Sequence, residues 1–176
     1  MWQVGGAAVL LLLFFVVWNL SLRREIRLRR QAEQKMRFMA THDELTGLPN
    51  RSLIRERIEQ ALLQHARHNE LLAILFIDLD GFKAVNDTHG HATGDMVITA
   101  LATLLRKRIR KTDKAGRYGG EEFMLVLPAC TRQQAASLTG QILDAFRHLT
   151  FTAASKHFNC TFSAGVISSE ESHFST

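Results

Sequence analysis

The apolar residues of this 176-residue chain fall into two kinds of segment, one at helical spacing and one nearly continuous. Ser52 to His68 carries Leu53, Ile54, Ile58, Ala61 and Leu62 three and four residues apart, which predicts an amphipathic helix. Leu71 to Ile77 is unbroken apolar sequence, short enough to predict a central strand buried on both faces. Helical spacing returns in Met96 to Ile109 (Val97, Ile98, Leu101, Leu104, Leu105, Ile109) and in Arg132 to His148 (Ala135, Leu138, Ile142, Phe146). Phe158 to Ile167 alternates as a strand does. Between strand-like residues, Gly119 and Gly120 predict a tight hairpin turn, because glycine enters positive φ at no steric cost. Gly81 to Asp95 is polar and punctuated by glycine, and no element is assigned to it. The order helix, strand, helix, hairpin, helix, strand predicts an α/β sandwich, its sheet mostly antiparallel at the hairpin.

Val4 to Leu20 differs from the rest, being apolar except for Gly5, Gly6 and Asn19. Seventeen helical residues rise roughly 26 Å, near the lower limit for a bilayer. Trp2 and Trp18 flank the run as interfacial aromatics, and arginines follow but do not precede it, which puts the C-terminal side in the cytoplasm. A cleaved signal peptide is the rival; the basic start and small-residue cleavage site it needs are missing. Leu22 to Ala40 lacks Gly and Pro and predicts a helix leading from membrane to domain. Its stripe of Leu22, Ile26, Met36 and Ala40 is a weak coiled-coil pattern, with Arg29 and Glu33 in the middle.

Charge sharpens this division. The formal net charge is +5, and residues 21–37 account for all of it, with seven Lys or Arg against two Glu. The remainder is balanced, so no basic face for nucleic acid is expected, only a juxtamembrane basic block. Two cysteines, Cys130 and Cys160, make no disulfide framework, and no Cys/His spacing suits zinc. His42-Asp43 is set aside as a structural dipeptide.

Carboxylates carry the candidate chemistry. Asp78 and Asp80 end the central apolar run and share a face if the strand persists, as metal ligands at a strand end do; a turn cap is the competing reading. Glu121 and Glu122 follow the glycine turn and, if they open a strand, point to opposite faces. An exposed acidic turn is the bland alternative. No GxxxxGK[ST] occurs, so phosphate would have to be held otherwise than by a Walker A loop.

Four motifs in order give these residues a setting: Asp43-Glu-Leu-Thr-Gly-Leu-Pro-Asn-Arg51, Asp78-Leu-Asp-Gly-Phe-Lys-Ala-Val-Asn-Asp87, Gly90-His-Ala-Thr-Gly-Asp95 and Arg117-Tyr-Gly-Gly-Glu-Glu-Phe123. From His42 to about Ile167 the chain resembles the GGDEF family of diguanylate cyclases. The resemblance implies a polymerase-palm-like, nucleotide-cyclase-like sandwich with a central sheet and flanking helices. It implies condensation of two GTP into cyclic di-GMP and two pyrophosphates with Mg²⁺ or Mn²⁺. Asp78, the Leu79 carbonyl, Glu121 and Glu122 would hold the metal, and Glu121 would also accept the proton of the attacking 3′-hydroxyl. Phe82 and Lys83 would hold phosphates, and Asn86 and Asp95 would read guanine. Arg110 and Asp113 would form a product-inhibition site for cyclic di-GMP.

Each such site binds one GTP, so activity implies a homodimer. The expected organisation is a transmembrane helix at 1–21, a cytoplasmic linker helix at 22–41, and a GGDEF domain at 42–176. That domain lacks the helix with which the family usually ends, which would leave an apolar sheet face uncovered. The expected location is the bacterial inner membrane, single-pass, with the domain in the cytoplasm. A receptor for cyclic di-GMP or GTP, or a dimerisation module, is the alternative function.

Overall fold

A computed structural model describes residues 2–154 and 156–170, without the side chains of residues 2–14 and 17. Two compact units result, Met1–Ala40 and Thr41–Thr176. The first is a continuous helix, α1 (Trp2–Thr41), in which Leu22, Ile26, Leu28 and Met36 are exposed. Arg29 and Glu25 pair one turn apart at 2.8 Å. Most of the expected membrane span falls on side chains outside the described residues. Among the described residues, no helix is long and apolar enough to cross a membrane.

The second unit is built on a four-stranded sheet in the order β2-β3-β1-β6: β1 (Leu72–Leu79), β2 (Lys114–Arg117), β3 (Glu122–Pro128) and β6 (Phe162–Ser168). Every pairing in it is antiparallel. The remaining elements are α2 (Arg51–His68), α3 (Phe82–His89), α4 (His91–Arg108), α5 (Arg132–Arg147) and a hairpin of β4 (Phe151–Ala153) and β5 (Lys156–Phe158).

Strand alternation explains the layers. Ala73, Leu75, Ile77 and Leu79 of β1 and Phe123, Leu125 and Leu127 of β3 share one face and are 0–2% exposed. They pack with Val97, Leu101 and Leu105 of α4 and Ile142 and Phe146 of α5 in the main core. Burial of each such side chain is worth about 1.5–3 kcal/mol. On the opposite face, Leu72 and Val126 pack against Ile54 and Ala61 of α2. That helix stops short of β6: on this face Phe76 is 37% and Ile167 60% exposed. Cys130 and Cys160 are buried free thiols, and burial pushes both up from their ordinary pKa.

Local chemistry sets the ends of elements. Asn50 caps α2 by accepting from the Leu53 amide, and Thr131 and Gln134 form a reciprocal capping box at α5. Gly116 on β2 lies so close to α2 that a Cβ would stand 2.6 Å from Ile54 Cβ and 2.9 Å from the Pro49 carbonyl oxygen. Neither neighbour is a free chain end, so Gly116→Ala is expected to destabilise the domain by about 1–3 kcal/mol in urea unfolding. An unchanged midpoint would mean that α2 shifts freely on the sheet.

Candidate active site

The β1–β3 register builds the centre of the site. Asp78 lies directly opposite Glu122, and opposite Ser163 on the other side. Residues opposed in an antiparallel pair point to the same face with Cβ atoms about 5 Å apart. Two carboxylates therefore stand side by side where the sheet ends, on the face α2 leaves open. Both are half-buried, and neither makes an ion pair among the described residues. Like charges on neighbouring side chains repel, and solvent around half-buried groups holds that to about 0.5–1 kcal/mol. A divalent cation would remove that repulsion, and carboxylate oxygens are the donors Mg²⁺ takes, so the pair suits one. Glu121 is the adjoining residue but sits in the turn, because β3 begins at Glu122. Among the described residues, no three His, Cys, Asp or Glu side chains gather closely enough to hold a metal. The structure thus brings together Asp78 and Glu122 of the expected ligand set, and leaves Glu121 beside them.

The turn is held from outside its own hairpin. Within it, the amide of Tyr118 donates to the Glu122 carbonyl at 2.8 Å. Arg117 Nη1 donates to both Asp43 carboxylate oxygens at 3.1 and 3.0 Å. Its Nε and Nη2 donate to the Gly120 carbonyl at 3.0 and 2.7 Å. Asp43 also accepts from the Thr46 amide at 2.8 Å and from Thr46 Oγ1 at 2.6 Å. Burial alone would raise the Asp43 pKa, but the Thr46 hydrogen bonds and Arg117 outweigh it, so the net shift is downward. A Cβ at position 119 would stand 2.5 Å from Glu122 Oε2, the free end of its side chain, so the Glu122 carboxylate lies against the Gly119 backbone. Arg51 lies over the Tyr118 ring, 4.7 Å from its centroid, and Tyr118 meets Phe76 edge-on.

A second clamp shapes the other rim. β1 ends at Leu79, but the Asp80 amide still donates to the Thr161 carbonyl at 3.0 Å and its side chain keeps to the Asp78 face, where Ser163 lies. Its carboxylate accepts from Thr161 Oγ1 and Ser163 Oγ, both at 2.6 Å, so Asp80 ties the β1 end to the start of β6. Gly81 then turns the chain with φ 64°, in the left-handed region that favours glycine, and opens α3. The stretch from Gly81 to Asp95, unassigned from sequence, is helical almost throughout: α3 runs into α4 with only Gly90, at φ 82°, between them. No side chain caps α3, so the amides of its first turn remain donors beside the carboxylates. His89 at its end stacks on Phe158 of β5, with ring centroids 4.4 Å apart.

The expected substrate-binding residues occupy this helix pair. Phe82 is buried, leaving its backbone amide as the group it can offer, while Lys83 is exposed. Asn86 is half-buried, and its Oδ1 is buried without a hydrogen-bond partner. Asp95, in the first turns of α4, lines a cavity of about 610 Å³ with Leu45, Ala92, Met96 and Thr99. That cavity is mostly apolar, with a carboxylate at its edge. Arg110 and Asp113 line a different cavity, of about 290 Å³, with Cys130, Gln134 and Gln141. The Asp113 side chain is buried and already accepts from the Arg110 amide at 2.8 Å. Sequence reasoning gave Asp43 and Arg117 no partnership; the signal that would have found it is their opposite charge in two polar motifs.

Known proteins resemble this chain in sequence and fold. Residues 40–176 match the family described as diguanylate cyclase, GGDEF domain. Diguanylate cyclase DgcP of Pseudomonas aeruginosa is 37% identical over 137 residues, covering 78% of this chain and 20% of its own. The coiled coil and GGDEF domain of DgcB from Caulobacter crescentus, in complex with c-di-GMP, superposes with a TM-score of 0.77 at 29% identity, covering 84% of this chain and 78% of that one. The active GGEEF domain of a diguanylate cyclase from Vibrio cholerae superposes with a TM-score of 0.57 at 36% identity, covering 62% and 69%. The chain spans about a fifth or less of the length of curated relatives such as DgcP. With its carboxylates at the sheet end and its signature written Gly119-Gly120-Glu121-Glu122-Phe123, this chain belongs to the GGDEF family.

Proposed function

We propose that this chain condenses two GTP into cyclic di-GMP, releasing two pyrophosphates. The observation that carries the reading is the register of Asp78 against Glu122, two like charges left side by side at the rim of an open sheet face. Asp78, the Leu79 carbonyl, Glu121 and Glu122 would hold Mg²⁺ or Mn²⁺. Bound there, the metal supplies charge neutralisation at the α-phosphate and favours ionisation of the attacking hydroxyl.

The chain's own residues do the rest. The Phe82 amide and the Lys83 ammonium hold phosphate oxygens, at a helix start whose amides face no capping side chain. Asn86 and Asp95 select guanine; an aspartate accepts from the N1–H and 2-amino groups, which adenine cannot offer together. Glu121 takes the 3′-hydroxyl proton as that oxygen bonds to the α-phosphorus of the facing GTP and the bond to pyrophosphate breaks. Repeating the step with roles exchanged closes the ring. Arg110 and Asp113 hold product in a separate cavity and arrest the domain.

Two GTP-loaded domains must face each other, so the working form is a homodimer. The apolar run at residues 1–21 anchors it in the bacterial inner membrane with the domain in the cytoplasm. The helix at residues 22–41, with its exposed Leu22, Ile26 and Met36, brings two copies together by raising local concentration. The expected result is that purified chain with Mg²⁺ converts GTP, but not ATP, to the cyclic dinucleotide. Binding of GTP or cyclic di-GMP with no product at any protein concentration would replace this reading by a receptor.

A further inference from the structure

Asn86 and Gly94 meet where α3 and α4 pack. Asn86 has an amide oxygen that is buried without a partner, although the residue as a whole is half-buried. Gly94 is buried in the second helix, in ordinary helical backbone, where glycine costs about 1 kcal/mol against alanine. Conformation does not call for it; space does. A Cβ at position 94 would overlap Asn86 Oδ1 outright and stand 3.1 Å from Asn86 Cγ and 3.0 Å from the tip of the Phe82 ring. The missing Cβ is thus a slot, and one edge of the Asn86 amide lies in it.

We propose that Gly94 is a specificity-determining position, holding the Asn86 amide edge-on for the base by offering it a slot in the neighbouring helix. The proposal rests on the reading of Asn86 as a guanine contact. An amide with one edge fixed against backbone has a single plane in which to present the other. A methyl group in the slot forces that plane to rotate or the side chain to leave. The Asn86 amide is the free end of its side chain and can swing away, so the helix pair survives while the base contact does not. Asp95 follows Gly94 directly and keeps its place on the cavity wall, while the tip of the Phe82 ring has to give by only a few tenths of an ångström, which leaves the Phe82 backbone amide where it is. Gly94 acts through Asn86 and is a positioning residue.

A double-mutant cycle on the full chain tests this, with Gly94→Ala, Asn86→Ala and the pair, each read for GTP affinity, GTP KM, kcat and melting temperature. Gly94→Ala alone is expected to raise the GTP Kd about tenfold, the size of one lost base contact, and to raise KM with kcat nearly unchanged. Asn86→Ala should do the same. The pair should again show about tenfold and not a hundredfold, because the second change removes a contact already gone. Melting should show the same coupling without nucleotide: Gly94→Ala lowers it in the native background and much less once Asn86 is alanine. Additive losses in Kd, or a Gly94→Ala chain that binds GTP as the native chain does, overturn the proposal and leave the cyclase reading standing. A native chain that binds no GTP overturns both, whereas the melting cycle alone still reports whether the slot exists.

Discussion

Asp78→Asn is expected to lower GTP turnover at least a thousandfold and, without divalent metal, to raise the melting temperature. The two effects share one cause. Asp78 faces Glu122 across a strand pair with no cation beside either carboxylate among the described residues. Folding without metal must hold two like charges together. Neutralising one relieves that repulsion, and solvent around half-exposed groups leaves about 0.5–1 kcal/mol to be gained. The same change removes a metal ligand, and with it the charge stabilisation that phosphoryl transfer depends on. Adding Mg²⁺ should then reverse the order of stability, since only the native pair binds it tightly.

Glu121→Gln separates the proton acceptor from the ligand pair: turnover falls by about 10²–10⁴ while nucleotide binding persists. Glu122→Gln should resemble Asp78→Asn in its metal-free stability, because it is Glu122 that stands in register. Melting curves with and without Mg²⁺, beside product assays, decide the matter. A destabilised Asp78→Asn chain in metal-free buffer, or one that still turns over, would sink the paired-carboxylate account.

That distinction between neighbouring glutamates shows where sequence reading reached its limit. Gly119-Gly120 predicts the turn, and the turn is there, though neither glycine takes the positive φ that the reading rested on, and its residue of closure is not written in the letters. The Tyr118 amide closes on the Glu122 carbonyl, so the strand opens at Glu122. In a strand of period two, one residue's difference decides which carboxylate shares a face with Asp78. Asp80 is a similar case. Two residues beyond Asp78, it shares that face although β1 ends at Leu79, but two hydroxyls from the β6 end take the Asp80 carboxylate, and no local pattern announces them.

Elements whose burial is periodic were legible. The run from Leu71 to Ile77 appears as β1, Ser52 to His68 as α2 from Arg51, and Arg132 to His148 as α5. The missed helix, α3, is eight residues long between Gly81 and Gly90 at positive φ, and only Phe82 of it is buried. One buried residue gives no period to read, and the flanking glycines that begin and end the helix look like loop. The hairpin of β4 and β5 was missed for the same reason: three residues per strand carry no alternation. What places the candidate site is therefore partly non-local, and no local pattern announces a contact between Asp43 and a residue 74 positions away.

Breaking that contact should destabilise the domain measurably. Arg117→Ala is expected to cost about 2 kcal/mol in urea unfolding, because one side chain serves two partners. Its ion pair with Asp43 joins groups 16% and 22% exposed, between the surface and buried regimes, and is worth about 1–2 kcal/mol. The Gly120 carbonyl loses a charged donor as well, worth about 0.5 kcal/mol because that carbonyl is exposed and water takes the donor's place. Lysine at 117 cannot replace a guanidinium that reaches two acceptors from one plane, so Arg117→Lys should recover less than half of the loss. The contact also has a pH signature. The Asp43 carboxyl lies below its ordinary 3.8 in the folded state, so the unfolded state binds the proton first. Its contribution is complete above that ordinary value and vanishes as pH falls through the lower, folded one. Asp43→Asn should therefore be less stable than the native chain at pH 7, with the gap closing in acid below about pH 4. Urea midpoints for both chains at pH 7 and in that acid range measure it. A gap that stays constant with pH would mean that the Asp43 charge does not hold the turn, and that Arg117 is anchored by the Gly120 carbonyl alone.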